Sequence, residues 1–274
     1  MALDWELREA GPLDADHTVL LLPGGMCAAG SWNEVMAEPA LASTRLVAAT
    51  MPGQAGAPPP DDYSVENYAR LTAELVREVG ADIVVGFSMG ACITVEMLVS
   101  GLFTGPTVLT GVSLSPKDEP AFFRAIVRLG DVFGTLPSAV LAKGAASMVK
   151  RAPVPPERQD ELREDFRKNN PRHIRPGLRE YLRWLHAGER RAEQLCQAGA
   201  PTWIVHAEEG DGGLTDEERS TLEACPDTHL VTIPGKVFFL PNEVPGEIAE
   251  VIAEAIRASD PTSRGTGALE PRGT

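Results

Sequence analysis

The chain has 274 residues, 43% of them hydrophobic, which is enough apolar material for one large core with an inserted subdomain. Acidic side chains number 39 against 25 basic ones, for a formal net charge of −14. A surface that acidic repels phosphate backbones and anionic lipid, so neither nucleic acid nor a membrane is an expected partner. No apolar run reaches the ~18 residues needed to cross a bilayer.

The chain begins "MALDWELREAGPLD", acidic and without a basic segment leading into an apolar one, so no secretory signal is expected. The first strong apolar run is "TVLLLPG" (18–24), a buried strand running into glycines. "RLVAATMPG" (45–53), "DIVVGFS" (82–88), "TVLTGVSLS" (107–115), "TWIVHAE" (202–208) and "HLVTIPG" (229–235) follow as further strands. They are rich in Val, Ile, Leu and Thr without strict alternation, as suits strands covered on both faces. Between them, "SVENYARLTAELVREVG" (64–80) reads as a helix capped by Ser64. "LTDEERSTLEAC" (214–225) and "PGEIAEVIAEAIRAS" (245–259) read as helices too. Strand alternating with helix predicts a mainly parallel α/β sheet.

The alternation lapses between residues 117 and 197, where helical patterns, prolines and charge take over. We expect a helical cap here, inserted into a core formed by residues 1–116 and 198–260. Residues 150–191 hold 12 Lys and Arg against 7 Asp and Glu, either a solvated face or a lure for an anionic group. Phe122, Phe123, Phe133 and Trp184 are candidates to line a pocket beneath the cap or to pack helices on the sheet. The tail, 261–274, is polar with Gly and Pro and is expected to be disordered. Cys27, Cys92, Cys196 and Cys225 form no C-x-x-C pair, so reduced thiols and a cytoplasmic location are expected, with Cys92 packing a helix.

The chemistry is concentrated in "GFSMG" (86–90). A strand that turns sharply into a helix holds Ser88 in a strained, exposed position, and glycines two before and two after remove side chains that would clash. On this motif and its strand–helix setting, the chain resembles the α/β-hydrolase superfamily over about residues 3–258. The resemblance implies an eight-stranded, mostly parallel sheet with the cap after the sixth strand. It implies Ser88 as nucleophile and the N–H of Met89 as one oxyanion-hole donor. The second donor would come from "LLPGGMC" (21–27), through Gly25 or, in reserve, Met26; Pro23 stands where the family usually has His. The family acid matches Asp211 in "VHAEEGDGGLT" (205–215), with Glu209 as second choice. The family histidine falls on Phe238 in "KVFFLPNEVP" (236–245), because Glu243 and Pro245 keep the register.

Phenylalanine has no lone pair, so a serine hydroxyl beside it lacks the base that makes it nucleophilic. His173, His186, His206 and Lys236 are substitutes by position, whereas His17 and His229 sit at strand starts, at the far end of the sheet. Beside Phe238, Asp211 would lie in a drier pocket that raises its pKa. Three functions remain open. One is a hydrolase-type enzyme acting on a small ester, thioester or lactone-like carbonyl substrate through Ser88. Another is a non-hydrolytic lyase or cyclase using Asp211. The third is a catalytically silent protein that holds a small ligand. No metal-ligand or cofactor motif is present, and oligomeric state is not legible.

Overall fold

A computed structural model of the chain describes residues 5–119, 154–188, 190–209 and 213–259, with short pieces between 124 and 149. Among the described residues seven strands form one sheet: β1 (Glu6–Ala10), β2 (Thr18–Leu22), β3 (Arg45–Thr50), β4 (Ile83–Phe87), β5 (Thr107–Thr110), β6 (Thr202–Glu209) and β7 (Thr228–Lys236). Their order is β1-β3-β2-β4-β5-β6-β7. β1 runs antiparallel to β3 and every other pairing is parallel. The resemblance implied eight strands; the described residues contain seven. One of these, β1, was not read from the sequence: "ELREA" is charged and mostly exposed, as an edge strand can be.

Two short helices, α1 (Asn33–Met36) and α8 (Leu240–Glu243), lie in the connections after β2 and β7. The strands divide their side chains between two cores. Leu20, Leu22, Val47, Val84, Leu109 and Ile204 face one side, with α2 (Val65–Val79) and α3 (Met89–Val99). Val19, Leu21, Ala48, Val85, Val108 and Val205 face the other, with α9 (Pro245–Ser259). Each continuous apolar run therefore fills both faces, which is why no alternation appears in it. The ends of the helices are set locally. Ser64 Oγ accepts from the Asn67 N–H at the start of α2, and Gly80 ends that helix at φ +70°. Thr215 and Glu218 form a reciprocal capping box on α7 (Asp216–Glu223).

Between β5 and β6 the described residues include three helices, α4 (Pro156–Arg167), α5 (Pro171–Ala187) and α6 (Arg191–Ala198). Trp184 of α5 is 1% exposed and donates its indole N–H to Glu96 Oε2 of α3, so it packs helix on helix. Arg191 lies 3.5 Å over its ring. Phe122, Phe123, Phe133 and the 261–274 tail lie outside the described residues. Among the described residues no helix is long and apolar enough to cross a membrane.

The cysteines correct the expectation of four reduced thiols. Cys196 and Cys225, at the ends of α6 and α7, are joined by a disulfide with a Cα–Cα distance of 5.6 Å. This removes one support for a cytoplasmic location. Cys92 is fully buried and donates to the Ser113 carbonyl, and burial pushes its thiol up to about 12. Cys27 is buried and likewise pushed up to about 12, so both free thiols are inert.

Alkylation of the unfolded, unreduced chain is therefore expected to modify two cysteines, and four after reduction. Four modifications without reductant would refute the pairing. Closing the 29-residue separation stabilises the fold by about 3.5 kcal/mol in the chain-entropy account, so Cys225→Ser should lower the melting temperature clearly.

Candidate functional site

β2 and β4 are neighbours, with Leu22 opposite Gly86, yet the chain leaves them in opposite directions. β2 leads on to β3 on one side and β4 to β5 on the other. Such a divergence opens a crevice at the carboxyl ends of the two strands. The segment after β2 is "PGGMC" (23–27), and the residue after β4 is Ser88.

Ser88 has φ +49° and ψ −113°, a conformation that side-chain-bearing residues rarely adopt. Its N–H donates to the Thr110 carbonyl (2.9 Å) and its carbonyl accepts from Cys92, so the turn is tied to β5 and to α3. The flanking glycines explain why the backbone fits. A methyl at Gly86 would lie 2.5 Å from the Ala91 nitrogen and the Gly90 carbonyl. A methyl at Gly90 would lie 2.5 Å from the Leu22 oxygen and 2.7 Å from that of Pro23. The first turn of α3 thus rests directly on the backbone leaving β2.

That close approach also sets the neighbouring loop. Gly24 lies against Phe87 and Ser88, since a methyl on it would sit 3.6 Å from Ser88 Cβ, and Gly25 lies against Met89. Met89 is the first residue of α3, so its N–H falls outside the helical ladder. The Met26 N–H is taken by Gln54 Oε1 (2.8 Å), and the Cys27 N–H by the Gly24 carbonyl (3.1 Å). Among the described residues none accepts from the Gly25 N–H. Of the two donors considered in this loop, Met26 is engaged and Gly25 is open.

The loop after β7 carries no histidine. Phe238 follows β7, is 43% exposed, and donates its N–H to Glu243 Oε1 (3.1 Å), as Phe239 does (2.7 Å). It is Phe239 whose ring packs near Phe87, 6.5 Å between centroids, and near Phe166 of α4, 6.3 Å. The wall beside the elbow residue is therefore aromatic, contributed by Phe239. Asp211 lies outside the described residues. Glu209 pairs in register with Lys236, where β6 and β7 end.

The five histidines all lie outside the loop after β7. His17 Nδ1 lies 2.5 Å from Asp82 Oδ2 at the strand starts, and His229 stacks on Trp203. His173 bonds the Tyr63 hydroxyl (2.6 Å), His186 is exposed, and His206 is buried within β6. Among the described residues no side chain takes a hydrogen bond from Ser88 Oγ.

Two features were missed in the sequence. A cleft of about 340 Å³ opens between the loop after β5, the start of α6 and α7, lined by Lys117, His186, Arg190, Arg191 and Glu217 among others. Neither Ser88 nor residues 24–27 line it. Close by, Asp118 is buried, with Oδ2 accepting from the Leu114 and Ser115 N–H groups (2.8 Å each) and Oδ1 buried without a donor. Burial, with a further contribution from the charge of Glu218, raises its carboxyl to about 7. Burial also pushes Glu218 upward, but hydrogen bonds from Thr215 outweigh it and hold that carboxyl below its ordinary value.

The chain belongs to the alpha/beta hydrolase family, whose profile matches residues 19–251. Among solved structures it is similar to a thermophilic esterase from Thermogutta terrifontis, at 17% identity and a TM-score of 0.74, covering 94% of each chain. It is also similar to MenH from S. aureus (14% identity, TM-score 0.72, 94% of this chain and 99% of that one). A hydrolase from Oleispira antarctica matches at 16% identity with a TM-score of 0.69, over 92% of this chain and 94% of that one. At these identities the likeness is one of fold. None of the curated protein sequences matches the chain.

Two outcomes follow. Gly90→Ala forces backbone apart at the elbow and is expected to destabilise by about 3 kcal/mol, seen as a lower urea midpoint; an unchanged midpoint would mean the contact with β2 is absent. The folded protein keeps the Asp118 proton up to about pH 7, whereas an unfolded carboxyl loses it near 3.8. This group's contribution to stability therefore falls as pH rises from about 4 to 7. Asp118→Asn should raise the melting temperature at pH 8 and flatten that decline; a decline identical to wild type refutes the assignment.

Proposed function

We propose that the protein is an α/β-hydrolase-type enzyme acting on a small ester, thioester or lactone-like carbonyl compound, with Ser88 as nucleophile. The observation that carries this reading is the left-handed Ser88 turn, wedged between two obligatory glycines, with the open Gly25 N–H beside Met89. A strained residue persists where its surroundings over-determine it, and such positions cluster where a side chain must be presented to a ligand. Ser88 Oγ would bond the substrate carbonyl carbon while the carbonyl oxygen takes up negative charge. The N–H groups of Gly25 and Met89 would donate to that oxygen; one fixed donor of this kind is worth about 3 kcal/mol. Helices α4–α6 would belong to a cap over the crevice.

The reaction would be slow by the standard of a serine–histidine pair. At the position of the family histidine stands Phe238, and the ring against Phe87 is that of Phe239. The hydroxyl proton must then leave to solvent, to a substrate group, or to Asp211. Oxyanion donors and binding alone retain ~10³–10⁴-fold acceleration over water when a triad is incomplete. The same lack of a base favours a second reading, a lyase or cyclase that polarises a carbonyl without forming an acyl-enzyme and uses Asp211 as its acid or base.

A fluorophosphonate weighed on the intact protein separates the two. The hydrolytic reading expects one adduct on the wild type, none on Ser88→Ala, and loss of short-chain p-nitrophenyl ester hydrolysis in that variant. A folded wild type that takes up no adduct would sink Ser88 as nucleophile. The second reading expects Ser88→Ala to be milder than Asp211→Asn.

A further inference from the structure

Among the described residues, two besides Ser88 adopt left-handed backbone conformations without being glycine: Met26 at φ +68° and Ala55 at φ +44°. They lie on separate loops, after β2 and after β3, and two side-chain amides join them. Gln54 Oε1 accepts from the Met26 N–H (2.8 Å). Asn169 Nδ2 donates to the Met26 carbonyl (2.7 Å), and Asn169 Oδ1 accepts from the Ala55 N–H (2.8 Å). Both amide side chains are buried, Gln54 at 3% and Asn169 at 7% exposure. Both polar ends of the Met26 residue are thereby fixed, and each strained backbone has a dedicated partner.

Asn169 comes from the segment that follows α4. Its position continues the inner face of that helix: Arg158, Leu162, Phe166 and Asn169 follow helical spacing. Leu162 and Phe166 pack on Cys27, with Met26 beside them. Arg158 bonds Glu34 Oε1 (2.6 Å) and the Gly30 carbonyl. One helix face thus spans the backbone from Met26 to Glu34.

We propose that Asn169 is a positioning residue that sets the Met26–Cys27 peptide and, through the bond from the Cys27 N–H to the Gly24 carbonyl, the Gly24–Gly25 peptide, so that the Gly25 N–H, trans to that carbonyl, stays open toward Ser88. The physical reason is directional. With the Met26 carbonyl on Asn169 and the Cys27 N–H on the Gly24 carbonyl (3.1 Å), rotation of the Met26–Cys27 peptide would break two hydrogen bonds and release the Gly24–Gly25 peptide. The Gly25 N–H has no such engagement and is the group left to face the crevice. Movement of α4 is by the same bonds movement of this loop. The inference rests on the reading of Gly25 as an oxyanion donor.

The test pairs a backbone readout with a kinetic one. Asn169→Ala removes both bonds. Asn169→Asp keeps the acceptor for Ala55 and sets an oxygen against the Met26 carbonyl. Arg167→Ala, on the exposed side of α4, is the control. Hydrogen exchange at the Met26 and Cys27 amides is expected to quicken at least ~10-fold in both Asn169 variants and to stay unchanged in the control. With p-nitrophenyl esters, kcat should fall about 10- to 100-fold with KM nearly constant. Unchanged exchange at Met26 and Cys27 in folded Asn169→Ala overturns the proposal whatever the activity does. Quickened exchange with unchanged kcat overturns its catalytic half. Quickened exchange in a protein whose wild type neither labels nor hydrolyses upholds the positioning of the loop and defeats the nucleophile reading instead.

Discussion

The structure depends on one close approach, that of the first turn of α3 to the backbone leaving β2. At Gly90 the two are near enough that a single methyl group would meet the Leu22 oxygen at 2.5 Å. This contact forces the residue between β4 and α3 into a left-handed turn, and it draws Gly24 and Gly25 against Ser88 and Met89. Apolar burial on both sheet faces supplies the stabilisation that keeps such a turn in place, because every residue of β4, and every residue of β2 but Thr18, is buried. Backbone strain at one residue costs on the order of 1–3 kcal/mol, small against a core of that size.

An elbow of this kind has two halves, and the described residues supply them unequally. On the proposed reading the dipolar half would be the Gly25 and Met89 N–H groups beside Ser88, with the competing Met26 N–H occupied. Where the proposed site would need a proton acceptor, the described residues after β7 present aromatic surface. Phe239 joins Phe87 to Phe166, so three rings from β4, α4 and the loop after β7 form one wall. A dry wall strengthens any dipole acting beside it, because little water remains to screen the charge. It also makes an ionised group there more expensive. On the proposed reading, such a wall would suit a neutral carbonyl substrate better than one that brings a charge to the reacting centre.

How much of this was legible follows from the range of the interactions. The central strands, the Ser64 cap of α2, and the glycines of the elbow are local signals, and they read directly from hydropathy and spacing. β1 did not, because an exposed edge strand of "ELREA" carries no apolar run and is held by pairing with β3. The Cys196–Cys225 bond joins two helix ends across 29 residues with no motif to mark it. Phe238 was placed by register with Glu243, and that carboxylate does bind its backbone; the sequence did not distinguish its exposed ring from the inward one of Phe239. Gln54 and Asn169 gave no signal at all. Amides that each bond a main chain far away look like ordinary polar loop residues until the chain is folded.

Those unheralded polar contacts share a role. Arg158 and Glu34 form an ion pair with side-chain exposures of 11% and 18%, and Asn242, from the loop after β7, donates to the same carboxylate (2.7 Å) and to the Ser31 carbonyl (2.9 Å). Taking such groups out of water costs nearly what their attraction returns, so they contribute little net stability. What they contribute is register. An apolar helix face can slide by a fraction of a turn at small cost, whereas a buried amide or guanidinium has one arrangement that satisfies it. Arg158 at one end of the inner face of α4 and Asn169 beyond the other leave that helix a single seat over residues 26–34. Glu34 extends the same constraint, through Asn242, to the loop that carries Phe238 and Phe239. The three loops around Ser88 therefore take their relative positions from polar groups that the hydrophobic pattern does not specify.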